Sequence, residues 1–513
     1  MPSRIHRKRY VQGGLCQPGN GTKCQPWNSL SLAQSHSGWT TLIVLPSPIA
    51  LDGGITLRNG QKLVGKDQKY AIITNSFTER NEGNGIIAIG NVLIKNITIK
   101  QTNAAAVRYD NASNLTVRNT YVSGYNQSNI TAPIVYPLND SINSVLVGAF
   151  FGQNSNAGTT TFCNVTIDSG SSGPAIADLT TASRKLRIQQ CKINGLRTVF
   201  FEQEGLLTGV NGLFLMASNN AEYRVRVQAS HLYDFVGNSF APKDISIVVQ
   251  GHSNANIQIE DCLFQESIQH TRPPVSAIEL ITVDSNSSCL IKNNTFDNLF
   301  NTLTTRDSGV SVANVSLVHN NATGYDQFYA ALAVHHENMN LRKHVIMKGN
   351  KFIGGVTSGA ILIGSNLGGP ASWSDLRVEL EDNCYDGRDI AFAAFISINF
   401  GSNPAGAGNA TITGSHNNFE RFVFDILDFG FFGEASNVNY LLPRNWWGQP
   451  EGPDNIDNTG TGVVDVSDPL SGPIACPKFK YCLPTDQLTF GDRAITVNSV
   501  KAQLEKIAAR FGN

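Results

Sequence analysis

An enzyme that cuts a polysaccharide needs two carboxylates, one as acid and one as base or nucleophile, and this chain offers few such pairs. Glu379 and Glu381 in "RVELEDN", with Asp382 after them, put two carboxylates on one face of an expected strand. Glu202 and Glu204 in "FFEQEG" share a face in the same way. A solvated strand face accounts for the first pair and a loop for the second. His335 and His336 in "AVHHEN" have the composition of a metal site with Glu337, yet adjacent strand side chains point to opposite sides and cannot all meet one ion. Asp454, Asp457, Asp465 and Asp468 in "DNIDNTGTGVVDVSD" do not have the spacing of an EF-hand, and a turn-rich cap explains them. Trp446 and Trp447 in "LPRNWWGQPEGPDN" are either a sugar-stacking platform or a plug over an exposed core. No residue is therefore assigned a catalytic, cofactor-binding or metal-ligating role, and no cofactor is expected.

The whole chain sets the frame for these residues. Its 513 residues carry 39 basic and 40 acidic side chains, a net charge of -1, so no overall field recruits nucleic acid or an anionic membrane. The best apolar run, residues 41 to 49, is short and holds Pro46 and Pro48, so no membrane span is expected. Arg4, Arg7, Lys8 and Arg9 resemble the start of a signal peptide, but no apolar segment follows, and standard secretion is not expected. Nine cysteines leave at least one unpaired. Cys16 with Cys24 and Cys476 with Cys482 are near enough for local loops, while Cys163, Cys191, Cys262, Cys289 and Cys384 read as buried free thiols. Sequons such as Asn96, Asn114, Asn129, Asn164, Asn314 and Asn409 are what a text rich in Asn, Ser and Thr yields by chance.

A repeat organises the middle. Asn or Cys, any residue, then an aromatic or aliphatic recurs in "VRNTY", "IQQCKI", "FVGNSF", "IEDCLF", "IKNNTF", "MKGNKF", "LEDNCY", "GSHNNF" and "LPRNWW". The markers are Asn119, Cys191, Asn238, Cys262, Asn294, Asn350, Asn383, Asn417 and Asn445, with Asn321 between Asn294 and Asn350. The period runs from about 23 to 34 residues, which means stacked units rather than separate lobes. Each unit holds short alternating runs such as "VLIKNITIK", "KLRIQQ", "NIQIED" and "DLRVELED", the mark of strands with one dry and one wet face. Strands of this kind, joined by Asn and Gly corners, coil into a solenoid in which the recurring Asn lies in the left-handed region and forms an amide ladder.

At this point the chain resembles the right-handed parallel β-helix group, the pectin-lyase-like superfamily in its broad sense. "TTLIVLPSPIALDGGITLRNGQKLVGKDQKYAIIT" is similar to its opening turns and "NWWGQPEGP" to its closing segment. The resemblance implies an all-β, right-handed parallel β-helix solenoid, and implies little about activity. Of the Asn-Thr-Asp, Asp-Asp, Gly-His-Gly and Arg-Ile-Lys patterns of the hydrolase branch, only "GHS" at Gly251, His252 and Ser253 imitates two residues, and no Asp-Asp pair occurs.

The expected organisation is a basic N-terminal arm and cap over 1–38, a β-helix over 39–448, and a C-terminal cap and tail over 449–513. In that tail, Val500, Leu504, Ile507, Ala508 and Phe511 form one stripe of a short amphipathic helix. Trp446 and Trp447 are expected in the terminal turn, because a solenoid must cover the raw cross-section at its end. The expected function is a non-enzymatic structural building block of a large assembly, a virion capsid or spike component such as a minor capsid protein. Its partners would be other subunits, met through the N-terminal arm and C-terminal helix, and possible glycans on the β-helix surface. The alternative is a carbohydrate-active lyase or hydrolase, or a glycan-binding surface protein, located at the cell surface or outside the cell.

Overall fold

The computed structural model describes residues 8–36, 38–133, 144–168, 173–194, 201–203, 206–217, 221–234, 244–251, 255–266, 276–281, 287–297, 301–307, 312–318, 321–323, 330–336, 341–353, 361–365, 373–387, 394–400, 409–422, 424–428, 437–458, 462–476, 489–490 and 493–494. Two compact units divide the chain, Met1–Phe479 and Lys480–Asn513. The described part of the second is a short antiparallel pair, Thr489–Phe490 with Arg493–Ala494. The expected helix over 497–511 and Cys482 lie outside the described residues.

The first unit is an all-β parallel β-helix. Three ladders of parallel strands run through it, each strand pairing with its counterpart one turn earlier and one turn later. The first ladder passes through Ile55–Leu57, Phe150–Asn154, Ile176–Thr180 and Leu206–Ala217 to Ile456–Asn458. The second starts at Lys8–Val11 and passes through Thr41–Val44, Gly158–Asp168, Arg184–Gln189, Tyr223–Gln228 and Ala255–Glu260 to Asn437–Leu441 and Val464–Asp465. The third passes through Ile72–Asn75, Lys192–Asn194, His231–Asp234 and Leu263–Glu266 to Cys384–Asp386 and Asn418–Glu420. Paired strands thus occur both before residue 39 and after residue 448. Period-two sequences make these strands: in "RKLRIQ" and "YRVRVQ" every second residue is buried and the others face out.

The first turn is covered on its open edge. The Tyr10 amide donates to the Gly21 carbonyl and the Gln12 amide to the Trp27 carbonyl, so the edge of Lys8–Val11 is not bare. The helix Leu30–Ser35 follows, N-capped by Ser29, whose Oγ accepts from the Leu32 amide. Its Leu30 and Ala33 are buried with Trp27 and Trp39.

Inside the stack, two columns explain the repeat. Asn350, Asn383, Asn417 and Asn445 are fully buried. Each donates from Nδ2 to Oδ1 of the next, at 2.9 Å in all three steps, and that same Oδ1 accepts a backbone amide from the turn before. Two residues further on, Phe352, Tyr385, Phe419 and Trp447 stack at 5.3, 5.8 and 4.7 Å between ring centroids. Phe264 and Phe296 stack in the same column at 4.8 Å.

Three markers shift. The partner that Cys191 finds is the hydroxyl of Ser230, 39 residues on, so Ser230 holds the place given to Asn238, which lies outside the described residues. The strand Asn321–Thr323 sets Asn321 opposite Thr295 and Lys351 and Ala322 opposite Phe296 and Phe352, so Asn321 is not level with Asn294 and Asn350 and does not hold the inner-ladder position. Asn119 belongs to an outer ladder, Asn164 to Asn119 to Asn96, at 3.0 and 3.1 Å. The left-handed conformation is not that of the inner Asn either. It falls on the residue before it, Asn293, Asp382, His416 and Arg444 at φ +54° to +57°, and on Gly349 at +62°. The corner needs one residue to turn the chain and the next to point inward.

One cysteine expectation is corrected. Cys476 bonds to Cys384, 92 residues away, so Cys384 is no free thiol and Cys476 is not paired with Cys482. Segment 470–476 runs back along the stack: the Leu470 amide donates to the Asn445 carbonyl, the Ile474 amide to Asn418 Oδ1, and Cys476 closes on Cys384 one turn further up. Cys16 and Cys24 are free and exposed, so the expected local loop is not bonded; Cys191, Cys262 and Cys289 are free and buried as expected, while Cys163 is free and only half-buried.

Candidate binding surface

The residues singled out for chemistry do not converge. Glu379 and Glu381 share an outer face as expected, and each is engaged by the preceding turn: His344 Nε2 lies 2.9 Å from Glu379 and Lys348 Nζ 2.6 Å from Glu381. Glu202 stands in a strand paired antiparallel with Leu206–Ala217, and Glu204 lies outside the described residues. His335 and His336 are consecutive on Ala330–His336, opposite Arg306 and Asp307, while Glu337 and His252 are outside the described residues. Asp465 Oδ1 accepts the Ser467 amide and Asp468 pairs with Arg444, both local contacts of the final turn. Among the described residues no three His, Cys, Asp or Glu side chains are grouped to hold a metal ion.

A different constellation lies on the outer face of the second ladder. Strand register places Lys185 beside Arg224 and Arg187 beside Arg226, then continues to Asn256 and Gln258 and on to Ser288. These side chains line an open groove of about 930 Å³ together with Gln189, Gln228 and Glu222. Neighbouring cations are spaced by the lattice of the sheet, about 4.8 Å between turns and about 6.6–6.8 Å between alternate residues of a strand. Arg224 is held by Glu222, and Arg226 by Glu260 at 2.9 Å, with about half of each arginine side chain exposed. No ion pair holds Lys185 or Arg187 among the described residues. In "KLRIQQ" the alternation marks a dry side, and the cations stand on its wet side. The missed signal is the shared pattern of "RKLRIQ" and "YRVRVQ", visible only once the two are aligned in register.

The same two strands are pinned from inside. Arg184, fully buried, donates from one terminal nitrogen to the carbonyls of Ala112 and Asn156 at 2.8 and 2.9 Å, and from the other to Thr160 Oγ1 at 2.7 Å. Tyr223 Oη donates to Asp178 Oδ2 at 2.8 Å, and Asn154 Nδ2 to Asp178 Oδ1 at 3.2 Å. Tyr109 fills the space above Gly152, where a Cβ would meet its ring at 2.3 Å. Burial pushes the Asp178 carboxyl up, opposed by the charge of Arg184 and by its hydrogen bonds, and burial likewise raises both phenols. Such a cluster is costly unless satisfied, and it has no open face. Its chemistry is therefore positional: Arg184 and Tyr223 head the groove strands and fix their place in the stack.

No protein-family model matches the sequence, and no curated protein matches it. Among solved structures the chain is similar to a tailspike protein of the E. coli bacteriophage HK620, at 12% identity and TM-score 0.37, over 84% of this chain and 66% of that one. It is also similar to the catalytic domain of a GH87 α-1,3-glucanase in complex with tetrasaccharides, at 11% identity and TM-score 0.36, over 85% and 69%. A third is the tailspike gp61 of Pseudomonas phage phi297, at 8% identity and TM-score 0.36, over 82% and 78%. The chain thus spans about two thirds of the first of these. The parallel β-helix rests on the chain's own strand register, and these likenesses add no residue to the groove.

Proposed function

We propose that the chain is a non-enzymatic structural β-helix, a building block of a large assembly and specifically a virion capsid or spike component. The observation that carries this reading is the parallel stack, with its interior given over mainly to amide and aromatic columns and its best outer carboxylates taken up by the preceding turn, Glu381 in an ion pair with Lys348 and Glu379 beside His344. A parallel stack closed by a disulfide suits a part that must persist outside a reducing cytosol. In this reading Trp446 and Trp447 end the third ladder and its aromatic column, in the closing segment that resembles the pectin-lyase-like superfamily, while Ile456–Asn458 and Val464–Asp465 add one more level to the other two ladders. Residues 1–38 and 449–513 are the ends through which neighbouring subunits are met.

The test separates this from the carbohydrate-active reading. Native particles are purified and the protein is quantified against a known structural subunit; a fixed stoichiometry is expected. In parallel, the purified protein is assayed on a panel of polysaccharides with Glu202→Gln and Glu381→Gln variants. Robust turnover that one substitution abolishes would reject the structural reading.

A further inference from the structure

We infer that the groove over Arg184–Gln189, Tyr223–Gln228 and Ala255–Glu260 docks an acidic β-strand of a partner protein, with carboxylates at every second position. The first ground is charge: Lys185, Arg187, Arg224 and Arg226 line the groove against one lining carboxylate, Glu222. Glu222 and Glu260 orient two of these cations, and Lys185 and Arg187 are left to an incoming anion. Guanidinium groups held in this way bind carboxylates through paired N–H donors.

The second ground is spacing. Cations repeat at about 6.6–6.8 Å along a strand and about 4.8 Å across turns, because both repeats are those of β structure. A ligand strand lying along the groove presents its alternate side chains at the same interval, so two successive carboxylates meet the pairs Lys185–Arg224 and Arg187–Arg226. The third ground is what the lining lacks. It contains no aromatic side chain, so neither bases nor sugar rings find a stacking face. The remaining liners, Gln189, Gln228, Asn256, Gln258 and Ser288, offer donors and acceptors suited to hydroxyl and amide groups of a peptide. An association of this kind is steered by charge and weakens with salt.

This deepens the assembly reading by naming the chemistry of a partner, and its test does not depend on finding the particle. The full chain is titrated, by fluorescence anisotropy at low and high salt, with a labelled eight-residue peptide of alternating Glu and Thr. The comparators are the same residues with the four Glu together, a sulfated polysaccharide and a single-stranded oligonucleotide. The alternating peptide is expected to bind at least about tenfold tighter than its clustered isomer. Arg187→Glu with Arg226→Glu, on exposed positions and with an unchanged melting curve, is expected to lose that binding. The same double variant should gain a matching preference for alternating Lys and Thr. Equal binding of the two isomers, tighter binding of either polyanion, or no effect of the charge reversal would overturn the inference. If the peptide binds as expected while the protein is absent from particles, the groove stands and the virion reading falls.

Discussion

Replacing Asn383 by alanine tests the inner ladder at its middle. Its Oδ1 accepts from the Asn350 amide and from Asn350 Nδ2, both at 2.9 Å, and its Nδ2 donates to the Met347 carbonyl at 2.7 Å and to Asn417 Oδ1 at 2.9 Å. Alanine removes all four bonds at a site with no exposed surface. At roughly 1 kcal/mol net for each, with more where a buried group stays unsatisfied, the expected cost is about 4 kcal/mol. A solenoid need not unfold in one step, so the loss should appear locally. Hydrogen exchange at the amides of 345–347, 378–380 and 410–412 should speed up by two to three orders of magnitude, at about 1.4 kcal/mol per tenfold change. The outer rung supplies the control: Asn119 is part-exposed and left-handed at φ +48°, so Asn119→Ala removes two ladder bonds and adds backbone strain, for about 2 kcal/mol in all, half the inner cost. If Asn383→Ala costs no more than Asn119→Ala, the inner column does not hold the stack and the account of the repeat fails.

Asp425 gives a pH dependence. Burial raises its carboxyl from 3.8 to about 6, against the stabilising amides of Asp454 and Asn455. Because the folded value lies above the unfolded one, the stability tied to its protonation is complete below about pH 4 and is lost as pH rises through about 6; the difference between the wild type and Asp425→Asn in urea melts should change by about 2–3 kcal/mol over that window. The Cys384–Cys476 bond closes a loop of 92 residues, so reduction or Cys476→Ser should remove about 4–5 kcal/mol from the final turns on the chain-entropy account. Non-reducing peptide mapping should recover this pair, and exchange over 437–476 should rise when it is cut. Burial pushes the thiols of Cys191, Cys262 and Cys289 up to about 12, so alkylation at pH 8 should mark Cys16 and Cys24 and leave those three unmodified until denaturant is added.

The periodic text is legible because most turns place a small polar side chain or thiol, and two residues later a bulky apolar one, in the same interior columns, and that constraint writes itself into spacing. Adjacency hides the inner ladder in the sequence. The residue that turns the corner and the residue that forms the inner ladder are neighbours, and both tolerate Asn, so "VRNTY" and "IKNNTF" look alike although Asn119 faces outward and Asn294 is buried. Ser230 escaped because a hydroxyl meets the same backbone amide that an Asn side chain meets elsewhere. The Cys384–Cys476 bond escaped because it joins a rung to a returning segment, and nothing local records that return. The groove escaped because its cations become neighbours only after a turn of 39 residues is closed.

The division between inner and outer positions has a consequence for where function resides. Inward residues are fixed by the turns on either side, so Asn383, Tyr385 or Arg184 cannot change without breaking contacts in two neighbours. Outward residues touch solvent and their own ladder only, and the fold leaves their charge free. Lys185, Arg187, Arg224 and Arg226 stand on strands whose inner sides join a buried, hydrogen-bonded polar cluster around Asp178 and Arg184. A surface whose charges must keep a fixed spacing needs strands that do not slip, because a one-residue shift would turn every cation inward. Rigid support beneath an exposed row of cations is what binding at defined spacing requires, and a merely solvated face has no such need.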